Sequence, residues 1–394
     1  MKHILCLLLM LLLCGCGNQA NTEQQTAPNE YIGNSPVPIL RTGIMEQSST
    51  TVLNSFECTE NGVYVLTAQG DWLLFADHDS DSFIKLCGRP DCKHSDYDCN
   101  ASVRNCQSLC WYDGYLYVTS GMGSTIQLHR MDADGSNRVK IMDTTSIPGG
   151  YGGSYGSYLY NGTMFFTLYK LGDNGREVSQ AFYYKLDGSM EEPQPLEEGS
   201  PYRSDGVNVL LSGGSRTNEL PGMGIYKWNP ETKESSYLTD VQGTLKGYFA
   251  QDAYYYILDG IICKEDYDTG TVTQLLDTGL EGCHRLHAFT DLLVITDDIS
   301  WEETLEGGFM TSQTLRFYSW DFEYLDEIFI DYPVAGSYLY PDIISGETES
   351  RIYLTAHDYG LPEYYIEKSE IGTGSIAIHP LELPEDIQVL LSGT

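Results

Sequence analysis

The sequence has few basic residues and, after its first fifteen positions, no long hydrophobic run. Lys and Arg number 22 against 56 Asp and Glu, which gives a formal net charge of −34. A surface this negative repels phosphate backbones, so we do not expect nucleic acid as a partner. The sequence also lacks a phosphate-binding glycine loop, a nucleophile elbow and a metalloprotease histidine pair. It therefore does not predict any enzyme that those motifs identify.

Helical signals are missing as well. No amphipathic pattern longer than about two turns follows the N-terminal run. The chain contains 30 Tyr and 40 Gly. Tyrosine and β-branched residues favour half-buried pleated surfaces, while Gly, Asp and Asn mark turns. The composition therefore predicts an all-β protein.

The first residues have the layout of an export signal. Lys2 precedes the apolar run Ile4–Leu13, which is shorter than the roughly 20 residues that a membrane-spanning helix needs. The run ends in Leu-Cys-Gly-Cys at 13–16, which resembles the signal of bacterial lipoproteins. That resemblance implies cleavage before Cys16 and diacylation of its thiol, and the alternative is an ordinary signal peptide. We expect residues 1–15 to be the signal peptide and Cys16 to anchor the chain at the extracellular face of the membrane.

The segment after the anchor is polar. Residues 17–37 are mostly Asn, Gln, Thr, Glu, Ser and Pro, a composition that cannot bury enough apolar surface to offset the entropy lost on ordering. We therefore expect 16–37 to consist of the lipidated cysteine and a flexible tether. The folded domain is expected at 38–394.

A repeat dominates the rest of the chain. Its clearest unit, Cys106–Met142, contains four strand-like segments joined by turns such as Asp113-Gly114. Six further units follow the same order, and their second strands begin near residues 63, 164, 207, 254, 292 and 351, against 115 in the clearest unit. Four-stranded units with a period of about 40–50 residues are typical of a β-propeller. The sequence therefore predicts an all-β propeller with seven four-stranded blades.

Alternatives to this fold are a long β-sandwich and two separate all-β domains. The hairpin Leu128–Asn137 resembles the blade hairpin of the propellers related to the low-density-lipoprotein receptor. The whole chain is more similar to propeller lipoproteins of Gram-positive bacteria that have no assigned activity. We also expect one of two terminal strands, Val37–Arg41 or Ile387–Leu391, to close the ring.

Five cysteines and one histidine lie close together in the predicted connection between blades one and two. They are Cys87, Cys92, His94, Cys99, Cys106 and Cys110. The chain has eight cysteines after Cys16, and outside the membrane such an even set favours disulfides. Three thiolates and one imidazole also fit a structural zinc site, and free thiols are the third alternative. Acidic turns such as Asp266–Gly270 resemble calcium loops only in part, so zinc and calcium are the cofactors to consider.

Two glycine-rich or extended segments, 149–158 and 297–313, are predicted to be loops on one end face of the ring. Their aromatic side chains are candidate stacking platforms for sugars or peptides, and the alternative is that both segments are solvated connections. The four candidates are Tyr151, Tyr155, Tyr158 and Trp301.

A second set of candidates lies in Cys283–His287. On a strand, Arg285 and His287 share one face because side chains alternate. We expect this face to line the central channel as a polar surface, and a catalytic pair is the alternative.

Together these features favour a monomeric, non-catalytic propeller at the cell surface that binds an extracellular glycan or an envelope protein. Function on such a scaffold usually lies in loops at an end face. One alternative is a carbohydrate-active hydrolase or lyase that uses paired carboxylates. Another is a sensory or assembly accessory protein of the envelope.

Overall fold

The structure is a computed structural model, and it describes residues 30–31 and 56–392 apart from short gaps. The gaps are 68–70, 79, 95–97, 123–124, 161, 173–174, 176, 197–198, 205–208, 215–222, 230–231, 242–246, 251, 281–283, 298–299, 304–308, 335–343 and 356–360. The predicted signal peptide, the Cys16 anchor and Val37–Arg41 therefore lie outside the described residues.

Antiparallel sheets of four strands follow one another along the chain and confirm the predicted propeller. A two-residue strand, β1 (Glu30–Tyr31), comes first in the sequence. Blade one contains β2 (Phe56–Thr59), β3 (Gly62–Leu66), β4 (Leu73–Ala76) and β5 (Ile84–Lys85). Blade two contains β6 (Cys106–Tyr112), β7 (Tyr115–Met122), β8 (Thr125–Met131) and β9 (Val139–Asp143). Blade three contains β10 (Gly153–Tyr160), β11 (Thr163–Leu171), β12 (Glu177–Lys185) and β13 (Gln194–Pro195).

The remaining four blades repeat this order within the described chain. Blade four contains β14 (Ser200–Ser204), β15 (Val209–Gly214), β16 (Met223–Trp228) and β17 (Ser235–Val241). Blade five contains β18 (Gly247–Phe249), β19 (Ala253–Leu258), β20 (Ile261–Asp266) and β21 (Val272–Asp277). Blade six contains β22 (His284–Ala288), β23 (Leu293–Asp297), β25 (Phe309–Tyr318) and β26 (Tyr324–Val334), with β24 (Ser300–Glu303) added beside β25. Blade seven contains β27 (Ile344–Glu347), β28 (Arg351–Leu354), β29 (Tyr364–Glu367) and β30 (His379–Pro380).

The second strand of every blade begins within two residues of its predicted position. Local turn chemistry explains this agreement. Between β6 and β7, Asp113 and Gly114 have φ values of 49° and 80°. Both central residues of a type I′ turn need positive φ, and Asp-Gly adopts this conformation readily. The predicted turn at Asp113-Gly114 therefore sets the register of the hairpin.

Apolar packing between neighbouring blades closes the ring. Among the described residues, the buried apolar side chains form seven clusters, and each cluster joins one blade to the next. Tyr64 of blade one and Leu109 of blade two share one of them. Val65 of blade one and Tyr353 of blade seven share the cluster that completes the circle. Both faces of each sheet are therefore covered, which is how a propeller protects sheets that are too small to be stable alone.

Two segments predicted to be loops are strands. The Gly/Ser/Tyr segment at 149–158 enters β10, the first strand of blade three, and a bulge between Ser154 and Gly156 absorbs Tyr155. The tyrosines of this segment favour a strand, so their propensity outweighs the glycines here. Likewise, part of the insertion 297–313 forms β24, which pairs with β25.

The expectation of a closing strand at Ile387–Leu391 is wrong. This segment lies in helix α1 (Glu385–Ser392), which begins after a proline and has Glu385 and Asp386 in its first turn. Pro is favoured at the start of a helix, and acidic groups there interact favourably with the helix dipole. No helix in the described part of the chain has the length and apolarity to cross a membrane. At the other terminus, Glu30 and Tyr31 of the predicted tether pair with β21 of blade five.

Polar contacts support the junction of blades seven and one. The Arg351 side chain is 8% exposed, and its guanidinium donates to Ser80 O, Asp81 Oδ1 and Glu367 Oε1, each at 2.9 Å. Nearby, the Glu382 N–H donates to Asp81 O at 2.7 Å. Because Ser80 and Asp81 belong to blade one, a single buried cation of blade seven holds both ends of the described ring.

We expect Arg351→Met to lower the free energy of unfolding by about 2–3 kcal/mol, because Ser80 O and the Glu367 carboxylate lose this donor, while Asp81 Oδ1 keeps only the Tyr365 hydroxyl. Urea unfolding measures this on the soluble domain, by which we mean the chain after the predicted anchor at Cys16. The control Lys140→Met removes a cation that is 47% exposed and pairs with Asp143, and it should cost less than about 1 kcal/mol. Equal losses for the two variants would contradict the account of the junction.

Candidate functional site

A pocket of about 430 Å³ lies beside blade two. One wall is the connection at 102–105, which leads from the cysteine-rich segment into β6. The other wall is formed by β7 and β8, and Arg138 borders the pocket just before β9. Volumes of roughly 300–1,000 Å³ are usual for small-molecule sites. The pocket therefore has room for a small ligand or one unit of a larger one.

Strand alternation supplies the polar lining. Thr125, Gln127 and His129 of β8 line the pocket, whereas Ile126 and Leu128 are fully buried in the core between blades two and three. Successive side chains of a strand point to opposite faces, so the apolar residues that fix β8 also fix the polar ones. The polar side chains that β8 contributes are therefore held on a regular strand.

The wall at 102–105 is held by hydrogen bonds to blade one. The Leu73 N–H donates to Ala101 O at 2.8 Å, and the Val103 N–H donates to Asp71 O at 2.9 Å. Arg104 and Asn105 have φ values of 45° and 52°. Consecutive non-glycine residues in the left-handed region cost free energy and tend to occur at functional sites. The surrounding hydrogen bonds therefore hold a backbone conformation that the two side chains alone disfavour.

The pocket is basic although the chain is strongly acidic. Arg104, His129 and Arg138 line it, and none of the described lining residues is Asp or Glu. The Arg138 guanidinium donates to Ser102 O at 2.5 Å, so it also braces the wall. Burial, with smaller contributions from the Arg138 and Lys140 cations, lowers the pKa of His129 below its ordinary value. His129 is therefore neutral at pH 7 and able to accept one hydrogen bond and donate another.

Four of the six predicted cysteine and histidine residues converge. The ligand atoms of Cys87, Cys92, His94 and Cys99 all lie within 4.8 Å of one another. Cys99 Sγ is 3.6 Å from His94 Nδ1. The described cysteines are free thiols, so the predicted disulfides are not formed among them.

The other two cysteines of the predicted set lie in the core. Cys106 packs between blades one and two and donates to Val103 O at 3.4 Å. Cys110 packs between blades two and three. Burial raises the pKa of both thiols, so they remain protonated and act as small apolar side chains. Both cysteines lie in β6, which begins directly after the connection. Their closeness in sequence to the cluster therefore led to the prediction that they belong to it.

The thiols of the cluster differ in their proton affinity. Burial raises the pKa of Cys87. This effect is outweighed by hydrogen bonds with the backbone N–H groups of Arg89 and Asn100 and with the thiols of Cys92 and Cys99, and the pKa is lowered to about 6. Burial raises the pKa of Cys99 to about 12. The Cys87 thiol therefore loses its proton more readily than the Cys99 thiol.

The aromatic candidates are distributed over two blades. Tyr151 is half-buried, packs edge-on against Phe182 at 5.7 Å and lies under the Lys170 ammonium at 5.1 Å. This packing gives Tyr151 a structural role between blades two and three. Tyr155 and Tyr158 lie in β10, and Trp301 lies in β24. The side chains of these last three are outside the described part of the structure, so their role as platforms stays a prediction.

The two channel candidates lie on β22, the first strand of blade six. His287 is buried, with Nε2 3.3 Å from Thr296 Oγ1, and Arg285 is half-buried. Arg285 is paired in register with Thr296 on the next strand. The shared face and its position in the channel both stay predictions.

Glu57 is a functional candidate that the sequence analysis missed. It is half-buried in β2, and its Oε1 accepts the Trp111 N–H of blade two at 3.2 Å. Burial raises the pKa of Glu57 to about 7, against the lowering effect of the Trp111 N–H. The sequence signal that could have revealed Glu57 was a single acidic residue in the short strand Phe56–Thr59. Such a carboxyl changes charge near neutral pH, as a general acid does.

Comparisons with known proteins identify no family for this chain. No protein-family model matches, and no curated protein matches. Among solved structures, the chain is similar to a protein in a nidogen/laminin complex, with 14% identity, 56% of this chain and 78% of that chain covered, and a TM-score of 0.33. It is also similar to an uncharacterized protein of Listeria monocytogenes EGD-e, with 8% identity and a TM-score of 0.36; the match covers 70% of this chain and 84% of that chain. A third similar structure is a puromycin-hydrolyzing peptidase of Mycobacterium tuberculosis, with 13% identity and a TM-score of 0.41; the match covers 90% of this chain and 57% of that chain.

At these values the similarities carry no argument about function, and the propeller is established by the blades themselves. The resemblance to the propellers related to the low-density-lipoprotein receptor stays a prediction.

We expect Glu57→Gln to stabilise the protein above pH 7. An acid with a raised pKa binds more protons when folded, so wild-type stability falls as pH rises from about 4.5 to 7. Glutamine keeps an acceptor for Trp111 and has no charge to desolvate. Urea unfolding at pH 5 and pH 8 should show a gain of at most about 3 kcal/mol at pH 8 and a smaller one at pH 5. The same gain at both pH values would contradict the raised pKa.

Proposed function

We propose that this protein is a lipid-anchored, non-catalytic propeller that binds acidic extracellular glycans in the pocket beside blade two. The observation that carries the proposal is the basic lining of this pocket in a chain with a net charge of −34. Cations held together against the prevailing charge need a reason, and binding of an anionic group supplies one.

The lining matches a sugar acid. A planar guanidinium, such as that of Arg104 or Arg138, binds a carboxylate through two parallel hydrogen bonds. Neutral His129, with Thr125 and Gln127 beside it, offers donors and acceptors for hydroxyl groups. A uronic acid unit presents one carboxylate and several hydroxyls. The pocket therefore fits such a unit better than a neutral sugar.

The charge of the whole protein limits the size of the anionic ligand. Two arginines line the pocket, whereas the whole chain has a net charge of −34, which repels a long polyanion. A single carboxylate-bearing unit, or a glycan with widely spaced carboxylates, avoids that repulsion. This favours a glycan in which acidic units are separated by neutral ones.

The predicted lipoprotein signal supplies the location. An anchor at Cys16 and a tether at 16–37 would present the propeller outside the membrane, where such glycans occur. Two acyl chains anchor stably where one is marginal. The proposal therefore combines membrane attachment through lipid with recognition through the propeller.

A carbohydrate-active enzyme is the second candidate, and Glu57 is the observation that favours it. Its pKa of about 7 suits a general acid. Most glycosidases need a second carboxyl group roughly 5–9.5 Å away. The pocket itself has no carboxylate among its described lining residues, so hydrolysis there is not the first proposal.

We expect Arg104→Met to weaken binding of an acidic oligosaccharide at least about tenfold, because a charge-assisted hydrogen bond contributes roughly 1.5–3 kcal/mol. Isothermal titration of the soluble domain with a galacturonate-containing oligosaccharide and its neutral galactose counterpart measures this. The control Arg130→Met removes an arginine that lies over the Tyr115 ring, one residue beyond His129 on β8, and should bind as the wild type does. Equal affinity for the two ligands would contradict the proposal, and cleavage of either ligand would favour the enzyme.

We expect Cys16→Ser to abolish acylation of the protein in a bacterial host and to release it from the membrane. Cys14→Ser is the matched control, because Cys14 lies two residues earlier and should be removed with the signal peptide. Incorporation of labelled palmitate and partitioning into detergent measure the two effects. Acylation that survives Cys16→Ser would contradict the anchor.

A further inference from the structure

We propose that Cys87, Cys92, His94 and Cys99 bind one Zn²⁺ ion in a structural, four-coordinate site. The site lies on the connection between β5 and β6. It does not depend on the glycan-binding function, because it is argued from the ligand atoms and their surroundings alone.

Distances between the ligand atoms fit a tetrahedral zinc site. With Zn–S near 2.3 Å and Zn–N near 2.0–2.1 Å, a tetrahedron places sulfur and nitrogen about 3.6 Å apart and two sulfurs about 3.8 Å apart. Cys99 Sγ and His94 Nδ1 are 3.6 Å apart. All four ligand atoms lie within 4.8 Å of one another. Small side-chain movements would therefore bring the full set around one ion.

The composition of the cluster selects the metal. Three thiolates and an imidazole form one of the usual ligand sets of structural zinc. Calcium prefers six to eight oxygen ligands, so the calcium alternative does not fit here. A disulfide would need two sulfurs at about 2.05 Å, would leave the third thiol of the cluster unpaired and would give His94 no role. These requirements favour zinc over both alternatives.

Groups around the ligands are those that stabilise thiolates. Arg89 Nη2 donates to Cys92 Sγ at 3.2 Å, and the His94 N–H donates to the same sulfur at 3.4 Å. Zn²⁺ with three thiolates carries a net charge of −1, which the Arg89 guanidinium neutralises. Donors to the ligand sulfurs and a compensating charge are the outer contacts that tune a metal site.

The connection is attached to the place where the ring closes. Lys85 Nζ donates to His94 O at 2.7 Å, lies over the Trp72 ring at 3.6 Å from its centroid and pairs with Asp386 of α1. The Lys85 side chain is 5% exposed. A buried cation thus joins the metal cluster, blade one and the C-terminal helix. Zinc would fix a connection that has little apolar core of its own.

The cluster also leads directly into the pocket wall. The Ser102 N–H donates to Cys99 O at 3.0 Å, and Ser102 is the first residue of the wall. Metal binding at Cys99 therefore restrains the segment that carries Arg104. We expect loss of the metal to loosen the wall while the blades remain folded.

The test uses the purified soluble domain, reduced, stripped with a chelator and then titrated with Co²⁺ and Zn²⁺. We expect one metal per chain, visible bands of tetrahedral cobalt with sulfur-to-cobalt charge transfer, and their loss when Zn²⁺ is added. Zn²⁺ should raise the midpoint of thermal unfolding by several degrees, since a ligand that binds only the folded state stabilises it. It should also protect the cluster thiols from alkylation.

Matched variants assign the site. Cys92→Ser and His94→Asn should each weaken Co²⁺ binding at least tenfold and change the visible bands. Cys58→Ser removes an exposed thiol of β2 that lies outside the cluster, and it should bind one metal as the wild type does. The inference fails if the stripped protein takes up no stoichiometric metal, if cobalt binds with an octahedral spectrum, or if Cys92→Ser binds like the wild type. It fails equally if mass spectrometry without reductant finds two of the cluster cysteines joined as a disulfide.

Discussion

Every feature of this protein depends on the packing of each blade against its two neighbours. A four-stranded sheet with two apolar faces is not stable in water by itself, and a ring covers both faces of all sheets at once. Seven clusters of buried side chains join successive blades of the described chain, including blade seven to blade one. The ring is therefore a closed unit, and the junction of blades seven and one completes it. The contacts of Arg351 and Lys85 reinforce that junction with buried cations.

The pocket and the cysteine–histidine cluster lie at the next junction of the ring, between blades one and two. Both lie on the segment 87–105, which leaves blade one and enters blade two. An antiparallel bridge between Trp72 and Ser102 and backbone hydrogen bonds to blade one hold the end of this connection, and Cys87, Cys92, His94 and Cys99 converge in the part before it. A wall held in this way can keep Arg104 and Asn105 in left-handed conformations. Fixed geometry is what a binding site needs in order to recognise a ligand without first ordering itself.

Much of the fold follows from the sequence because hairpin chemistry is local. Turn residues such as Asp113-Gly114 and alternating strands such as β8 depend only on near neighbours, so the blades and their order were predictable. Segments whose structure depends on distant partners were not. The residues around Tyr155 contain enough glycine to resemble a loop, yet they form β10 because β11 lies beside them. Ile387 and its neighbours resemble a strand, yet they form α1 and pack into the closing cluster.

The candidate site was predictable only in part for the same reason. The spacing of Cys87, Cys92 and His94 along the chain pointed to a cluster, but only the folded connection separates Cys99 from the buried Cys106. Arg104 is distant in sequence from His129 and Arg138, and the fold of blade two with the connection before it brings all three to one pocket. Glu57 gave a weak signal because a single acid in a strand is common at a surface, and its environment depends on blade two.

A crystal structure of the soluble domain with a galacturonate-containing disaccharide tests the central claim most directly, since it locates the ligand. The account predicts a sugar in the pocket beside blade two, with its carboxylate on the guanidinium groups of Arg104 or Arg138 and its hydroxyls on β8. A sugar bound instead beside Glu57, or on the strands that carry Tyr155 and Trp301, would contradict the assignment of this pocket as the binding site.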